Sequence, residues 1–169
     1  MFEAGSAGAA GRRGRARRGG RPGREASGGR RVSIRGRMPV IEPTHATFAA
    51  LTALDPDMGP VEMLNLLRYN ERAAYPDGTS CSGREAYLRY GAAVLPHLER
   101  VGGAVVRRAQ AELAFIAPEG ETWDELFLVR YPNIGAFLRM IMDPGYQQIA
   151  IHRHVALAEA RLLITRPIA

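Results

Sequence analysis

The stretch Val61–Tyr69, VEMLNLLRY, decides how this chain folds. It is too short and too rich in large apolar residues to be a surface helix, and it reads as a strand. One alternation set is Met63, Leu67 and Tyr69 around Asn65; the other holds Leu64 and Leu66. Leu126–Tyr131 repeats the pattern, with Leu126 and Leu128 set against Phe127, Val129 and Tyr131. A strand that is apolar on both sides belongs to a sheet with something packed on each face. The amphipathic stretches elsewhere supply enough helix for one face only. The second layer is then most simply another copy of the chain, which implies a small α+β homodimer with a pocket between sheet and partner.

Working outward, Thr44 can N-cap a short helix carrying Phe48, Leu51 and Leu54, stopped by Asp55-Pro56-Asp57-Met58-Gly59-Pro60. After the first strand, a loop runs from Asn70 to Cys81. Ser82 and Glu85 stand three apart before an apolar-periodic stretch, the pattern of a capping box. That helix is expected to reach about Val101, with a kink or break at Pro96. Ala104–Ala109 reads as a strand, with Glu112–Ala117 as its continuation past a bulge, and Trp123–Tyr131 as the next strand. Asn133 caps a helix whose Ile134, Phe137, Leu138 and Ile141 share a face. Asp143-Pro144-Gly145 ends it; a further helical segment from Tyr146 to about Leu157 leads to a last strand, Arg161–Thr165. The order is βαββαβ with one extra N-terminal helix, the split arrangement of a ferredoxin-like antiparallel sheet with helices on one face.

The formal charge of +6 is unevenly spread. Residues 1–37 hold eleven Arg against two Glu and ten of the nineteen Gly, whereas residues 38–169 hold twelve Arg against fifteen acidic residues. The basic balance therefore belongs to the leader, which has too few apolar residues to order itself and is expected to be disordered. The expected domains are this leader at 1–37, a helix and linker at 38–60, and the ferredoxin-like domain at 61–166. The leader is read as a solvated tail, or as sequence upstream of a true start at Met38. The alternative is a basic arm that contacts RNA through salt-sensitive phosphate contacts. The domain's own charge gives nucleic-acid binding no support. One cysteine, Cys81, excludes an internal disulfide and a Cys-based metal site, and suits a cytoplasmic setting. No apolar run approaches the roughly 18 residues needed to cross a bilayer.

No phosphate loop, zinc-protease, nucleophile-elbow or dinucleotide motif is present, so function rests on scattered polar residues. Asn65 interrupts an apolar strand: its amide either orients a ligand carbonyl or hydroxyl, or bonds neighbouring backbone. In His152-Arg153-His154, helical residues two apart point about 200° from each other, against a shared metal. His152 can act as a general acid or base with Arg153 steadying an anion, or the pair can cap the helix C-terminus. Tyr90 and Tyr146 are packing aromatics that can present hydroxyls to a ligand. Trp123 is a candidate ligand wall or a core contact. Cys81 precedes a helix N-terminus, where a thiol gains acidity, but has no evident His partner. Glu125 is an inward carboxylate or an Arg partner. No cofactor and no metal are expected.

Asn65-Leu66-Leu67-Arg68-Tyr69, running on to Tyr75-Pro76-Asp77-Gly78, resembles the start of a bacterial family, the domain of unknown function thirteen-thirty, placed among the dimeric α+β barrels. Ser82-Gly83-Arg84-Glu85-Ala86-Tyr87, Trp123-Asp124-Glu125, Leu128-Val129-Arg130-Tyr131-Pro132, Asp143-Pro144-Gly145-Tyr146-Gln147 and His152-Arg153 match its later segments. The resemblance covers about residues 61–166 and implies a dimeric α+β barrel of two ferredoxin-like protomers. Related barrels include cofactor-free monooxygenases, isomerases and dehydratases, haem-handling enzymes and stress-response proteins, so an enzyme and a non-catalytic ligand-binding protein are both implied. Where the family pattern has a second His before the His-Arg pair, this chain has Ile151. That argues against paired-His chemistry, and no His is placed as an axial haem ligand.

Overall fold

The nine residues Val61–Tyr69 form β1, at the centre of the sheet, in the computed structural model, which describes residues 40–168. The leader 1–37 and Met38 lie outside the described residues. In chain order the elements are α1 (His45–Thr52), β1, β2 (Ala73–Ala74), β3 (Ser80–Cys81), α2 (Gly83–Arg100), β4 (Ala104–Gln110), β5 (Glu125–Tyr131), α3 (Ile134–Ile141), α4 (Pro144–Ala156) and β6 (Leu157–Thr165). The main sheet has the order β4-β5-β1-β6, with antiparallel neighbours throughout. This is the ferredoxin-like arrangement, with a small β2–β3 hairpin and the extra α1.

Side-chain caps set where the helices begin. Thr44, Ser82, Asn133 and Asp143 each accept a backbone N–H of the first turn of α1, α2, α3 and α4 respectively. Ser82 and Glu85 complete the reciprocal capping box. The expected break at Pro96 does not occur: α2 runs through it. Pro96 is exposed and removes a single helical donor, and the buried Leu98 just beyond it anchors the last turn.

Alternation along β1 sends Val61, Met63, Leu67 and Tyr69 into the core beneath the helices, with the first three at most 1 % exposed. Tyr131, Leu98, Ile134, Ala136, Phe137 and Met140 pack around Val61 and Met63, while Ala86, Ala156, Leu157 and Ala160 pack around Leu67 and Tyr69. The other face carries Leu64 opposite Leu128 and Leu163, and Leu66 opposite Leu126. Val106 and Leu163 are 46 % and 48 % exposed. Among the described residues, no helix covers this apolar centre. Its rim is charged: Glu62 pairs with Arg130 at 2.6 Å, and Glu159 is shared by Arg68 at 2.6 Å and Arg161 at 2.5 Å.

Three expected strand limits are corrected, one being the start of β5, which lies at Glu125 rather than Trp123. Glu112–Ala117 does not continue β4; it is an irregular segment in which Leu113, Phe115 and Ile116 are 77 %, 86 % and 94 % exposed. The ladder ends where Ala111 donates to the Asp124 carbonyl, because Asp124 turns its own N–H to Leu67 and its carboxylate to the Tyr69 N–H. Past that point the strand has nothing to pair with. The irregularity in β4 falls earlier, between Val105 and Arg107. At the other edge, β6 starts at Leu157 rather than Arg161, since the long β1 pairs with it back to Leu157.

Asn70 explains the abrupt end of α4. Its Nδ2 donates to the Val155 and Leu157 carbonyls, its backbone N–H donates to Ala156, and its carbonyl accepts from Gly83. A Cβ on Gly83 would lie 2.3 Å from the Asn70 oxygen and 2.5 Å from the Ala156 oxygen, so both ends of this junction need glycine there. Gly83→Ala is therefore expected to destabilise the fold by about 1–3 kcal/mol, whereas Gly91→Ala, whose Cβ meets nothing within 4 Å, should be neutral or stabilising by up to about 1 kcal/mol. Urea unfolding of the two variants checks this, and equal midpoints would contradict it.

Candidate functional site

The helix-covered side of the sheet is not fully packed. A cavity of about 1110 Å³ lies between β1, β5 and β6 below and α1, α2 and α4 above. Met63, Phe127, Val129, Tyr131, Leu162 and Ile164 line its floor, and Phe48, Leu51, Val94 and Leu98 line its walls. The cavity therefore lies under the chain's own helices. The helices span the sheet without filling the space over the middle of β1.

Asn65 sits at that middle, paired with Phe127 on one side and Leu162 on the other. Its Nδ2 donates to the Met63 carbonyl at 3.0 Å, which fixes the orientation of the amide because a carbonyl can only accept. Of the two readings weighed for Asn65, the bond to neighbouring backbone is present. One N–H serves local backbone, while the second N–H and Oδ1 remain on a residue that lines the cavity.

An aromatic cluster connects Asn65's neighbours to the roof. Phe127 lies 5.8 Å from the Tyr87 ring, Tyr87 lies 5.4 Å from Tyr90, and Tyr90 meets Tyr146 edge-on at 6.3 Å. The Tyr90 and Tyr146 hydroxyls are 3.0 Å apart. Helix α2 presents Tyr87 and Tyr90 one turn apart. Asp143, capping α4, accepts the Tyr146 N–H and so holds that residue in the first turn. Burial pushes the Tyr90 hydroxyl well above its ordinary range, and its neighbour Tyr146 adds to the effect. Burial likewise raises Tyr87 and Tyr131. Tyr69 is raised first by burial and then by the Glu125 charge. At neutral pH these groups are proton-bearing hydrogen-bond donors, not bases.

Three guanidinium groups border the cavity, and each is matched. Arg108 forks onto the buried Glu125 through Nε at 3.0 Å and Nη2 at 3.1 Å, with Arg84 adding a contact at 3.3 Å. Arg153 donates to the Ile41 carbonyl at 2.8 Å and to Glu42 at 3.3 Å, tying the chain before α1 to α4. Arg161 bonds Glu159 at 2.5 Å and the Ala160 carbonyl at 2.7 Å. Both readings of Glu125 are realised at once, since it is inward and paired.

Of the residues singled out from the sequence, Asn65, Tyr90, Tyr146 and Arg153 line this cavity. His152 and Trp123 do not. His152 turns its Nδ1 to the Tyr75 hydroxyl at 2.9 Å, against the β2–β3 turn. Trp123 donates Nε1 to Glu121 at 2.9 Å and lies under the Arg161 guanidinium at 5.3 Å. Arg108 was missed, although an Arg interrupting a strand that pairs with Glu125 is a signal of the same kind as Asn65. Among the described residues, no three His, Cys, Asp or Glu side chains converge to hold a metal ion, and no helix is long and apolar enough to cross a membrane.

Comparison with known proteins agrees with this geometry at the level of fold. The model of a family described as a domain of unknown function, DUF1330, matches residues 79–167. The methylated RPA0582 protein is 44 % identical, with 79 % of this chain and 98 % of that chain covered and a TM-score of 0.74. The RPA0582 protein of unknown function from Rhodopseudomonas palustris is also 44 % identical, covering 78 % and 99 %, with a TM-score of 0.72. A dimeric, ferredoxin-like protein of unknown function from Bacteroides fragilis matches at 10 % identity over 65 % of this chain and 98 % of that chain, at a TM-score of 0.42, too slight a likeness to bear on this chain. No curated protein matches.

The tyrosines give a direct check on the cavity wall. Of the six in the chain, Tyr69, Tyr87, Tyr90 and Tyr131 should resist ionisation through pH about 10. A group whose folded pKa exceeds its unfolded value stabilises the fold fully below the unfolded value. That contribution is lost as pH rises through the folded one, so stability should fall above about pH 10. Tyrosinate absorbance followed beside circular dichroism tests this; all six tyrosines ionising near pH 10 with the fold intact would contradict it.

Proposed function

The chain belongs to the family described as domain of unknown function DUF1330, and from that premise we propose that it is a small-molecule-binding homodimer. Each protomer holds one small, mainly apolar molecule under its own helices, and the protomers meet through the open face of the sheet. The observation that carries the ligand reading is the cavity of about 1110 Å³ with the Asn65 amide on its floor and the Tyr90–Tyr146 pair in its lining. Pockets for small ligands are of this size and kind: largely apolar, with a few convergent polar groups.

Between holding a ligand and transforming it, the polar groups favour holding. The general acid or base considered from the sequence was His152, which lies outside the lining and is engaged with Tyr75. Arg153, its proposed companion, is occupied by Ile41 and Glu42. The groups that line the site orient a molecule; none of the lining residues is a histidine, and the carboxylate among them, Glu42, is paired with Arg153. A reaction of the monooxygenase, isomerase or dehydratase kind would need a proton acceptor that these residues do not offer.

Support for the homodimer is the apolar centre formed by Leu64, Leu66, Leu126, Leu128 and Leu163, which no helix among the described residues covers and which ion pairs within one protomer ring. A two-fold interface requires a patch that complements itself, and an apolar centre meets that requirement.

Gly91 offers a test that spares the fold. It lines the cavity on α2, and a Cβ there meets nothing within 4 Å. Gly91→Phe should fill space without displacing neighbours. Native mass spectrometry of the purified chain is expected to show a small molecule on each subunit, absent from Gly91→Phe although that variant melts no lower. A chain that carries no such mass, or a variant that keeps it, would contradict the proposal.

A further inference from the structure

The cavity's hydrogen-bonding inventory limits what can occupy it. We propose, resting on the reading of the cavity as a ligand site, that its ligand is an uncharged molecule with an aromatic or alicyclic body and a carbonyl group, the carbonyl oxygen accepting a hydrogen bond from the Tyr90–Tyr146 pair.

Charge is decided first. Arg108, Arg153 and Arg161 border the space, and each spends its guanidinium on a carboxylate or a backbone carbonyl. Arg108 is held furthest from service: its fork is filled by Glu125, which is 2 % exposed, and its plane lies 5.1 Å over the Phe127 ring. An anionic ligand would have to compete with the carboxylate or backbone carbonyl already on each guanidinium, and a cation would find only Glu42, already paired with Arg153. A neutral molecule has neither difficulty.

The donors come next. Two hydroxyls 3.0 Å apart share one of their two protons in the bond between them, which leaves one O–H for a third partner. That proton stays in place at neutral pH, because burial holds the Tyr90 hydroxyl far above its ordinary range. The pair is therefore a single donor, and it asks for an acceptor. Asn65 has one N–H and its Oδ1 beyond the bond to Met63, so it accommodates a second polar atom of either kind. Between these two points run Phe127, Tyr87 and Tyr90, with successive ring centroids 5.8 Å and 5.4 Å apart. Flat apolar walls of this sort suit a ring, and the polar points at their ends suit a carbonyl with one further polar substituent.

Three probes of matched shape separate the terms: 2-acetylnaphthalene, 2-naphthoate and 2-ethylnaphthalene, titrated calorimetrically into the full chain. The ketone is expected to bind about tenfold or more tightly than the hydrocarbon, and more tightly than the anion. In the double variant Y90F/Y146F, ketone affinity should fall to that of the hydrocarbon, while hydrocarbon affinity stays unchanged. Naphthoate binding most tightly, or a ketone preference that survives both substitutions, would overturn the proposed class. Equal binding of all three would overturn it too, while leaving the cavity as a ligand site. Binding of none, with Gly91→Phe indistinguishable from the parent, would overturn the ligand site itself.

Discussion

One constraint organises the molecule: β1 is apolar on both sides. Val61, Met63 and Leu67 are buried under the helices, and Leu64 and Leu66 point the other way beside Leu126, Leu128 and Leu163. Burying a leucine side chain contributes about 1.5–3 kcal/mol, and a domain of this size has a net stability of only about 5–15 kcal/mol. A cluster of partly wet leucines is thus a large fraction of the margin. The topology cannot relieve it, because the right-handed connections of a βαββαβ chain place the main helices on the same face. Among the described residues, that face of the sheet has no second layer.

The same constraint shapes the cavity. Helices that close over one face of a four-stranded sheet are anchored at its ends, by the Asn70 junction at the end of α4 and by Asp143 at its start. Between those anchors the space over Asn65 is left to aromatic side chains that touch one another but do not fill it. Polar residues there are tolerated because each is satisfied locally: Asn65 by Met63, Arg108 by Glu125, Tyr90 by Tyr146. Helix α1, which buries none of its residues, completes the enclosure through Phe48 and Leu51 and is tied down by the Arg153 bond to Ile41.

The elements that were legible in the sequence are those fixed by local chemistry. The limits of β1 and the caps at Thr44, Ser82 and Asn133 follow from alternation and from short-range donors and acceptors, and the structure has them where expected. What failed depended on distant partners. Glu112–Ala117 alternates like a strand, yet Asp124 closes the ladder before it. His152 shares its neighbourhood in sequence with Arg153, but on a helix successive residues diverge by about 100°, and Tyr75 from the hairpin claims it. Asn70, an unremarked loop residue, proved to cap a helix some eighty residues away, at Val155. The cavity lies under the helices, whereas the sequence led only to a pocket between sheet and partner. Strand patterns tell which residues alternate; they do not tell which set the helices will cover incompletely.

The two-layer requirement is tested most directly by the mass of the chain in solution. Light scattering on the full protein at micromolar concentration should give twice the 18.5 kDa of one chain, and Leu128→Arg, which plants a charge in the open face, should return it to the single-chain mass. A parent protein that stays at 18.5 kDa under these conditions, folded and stable, would mean that the leucine face needs no cover.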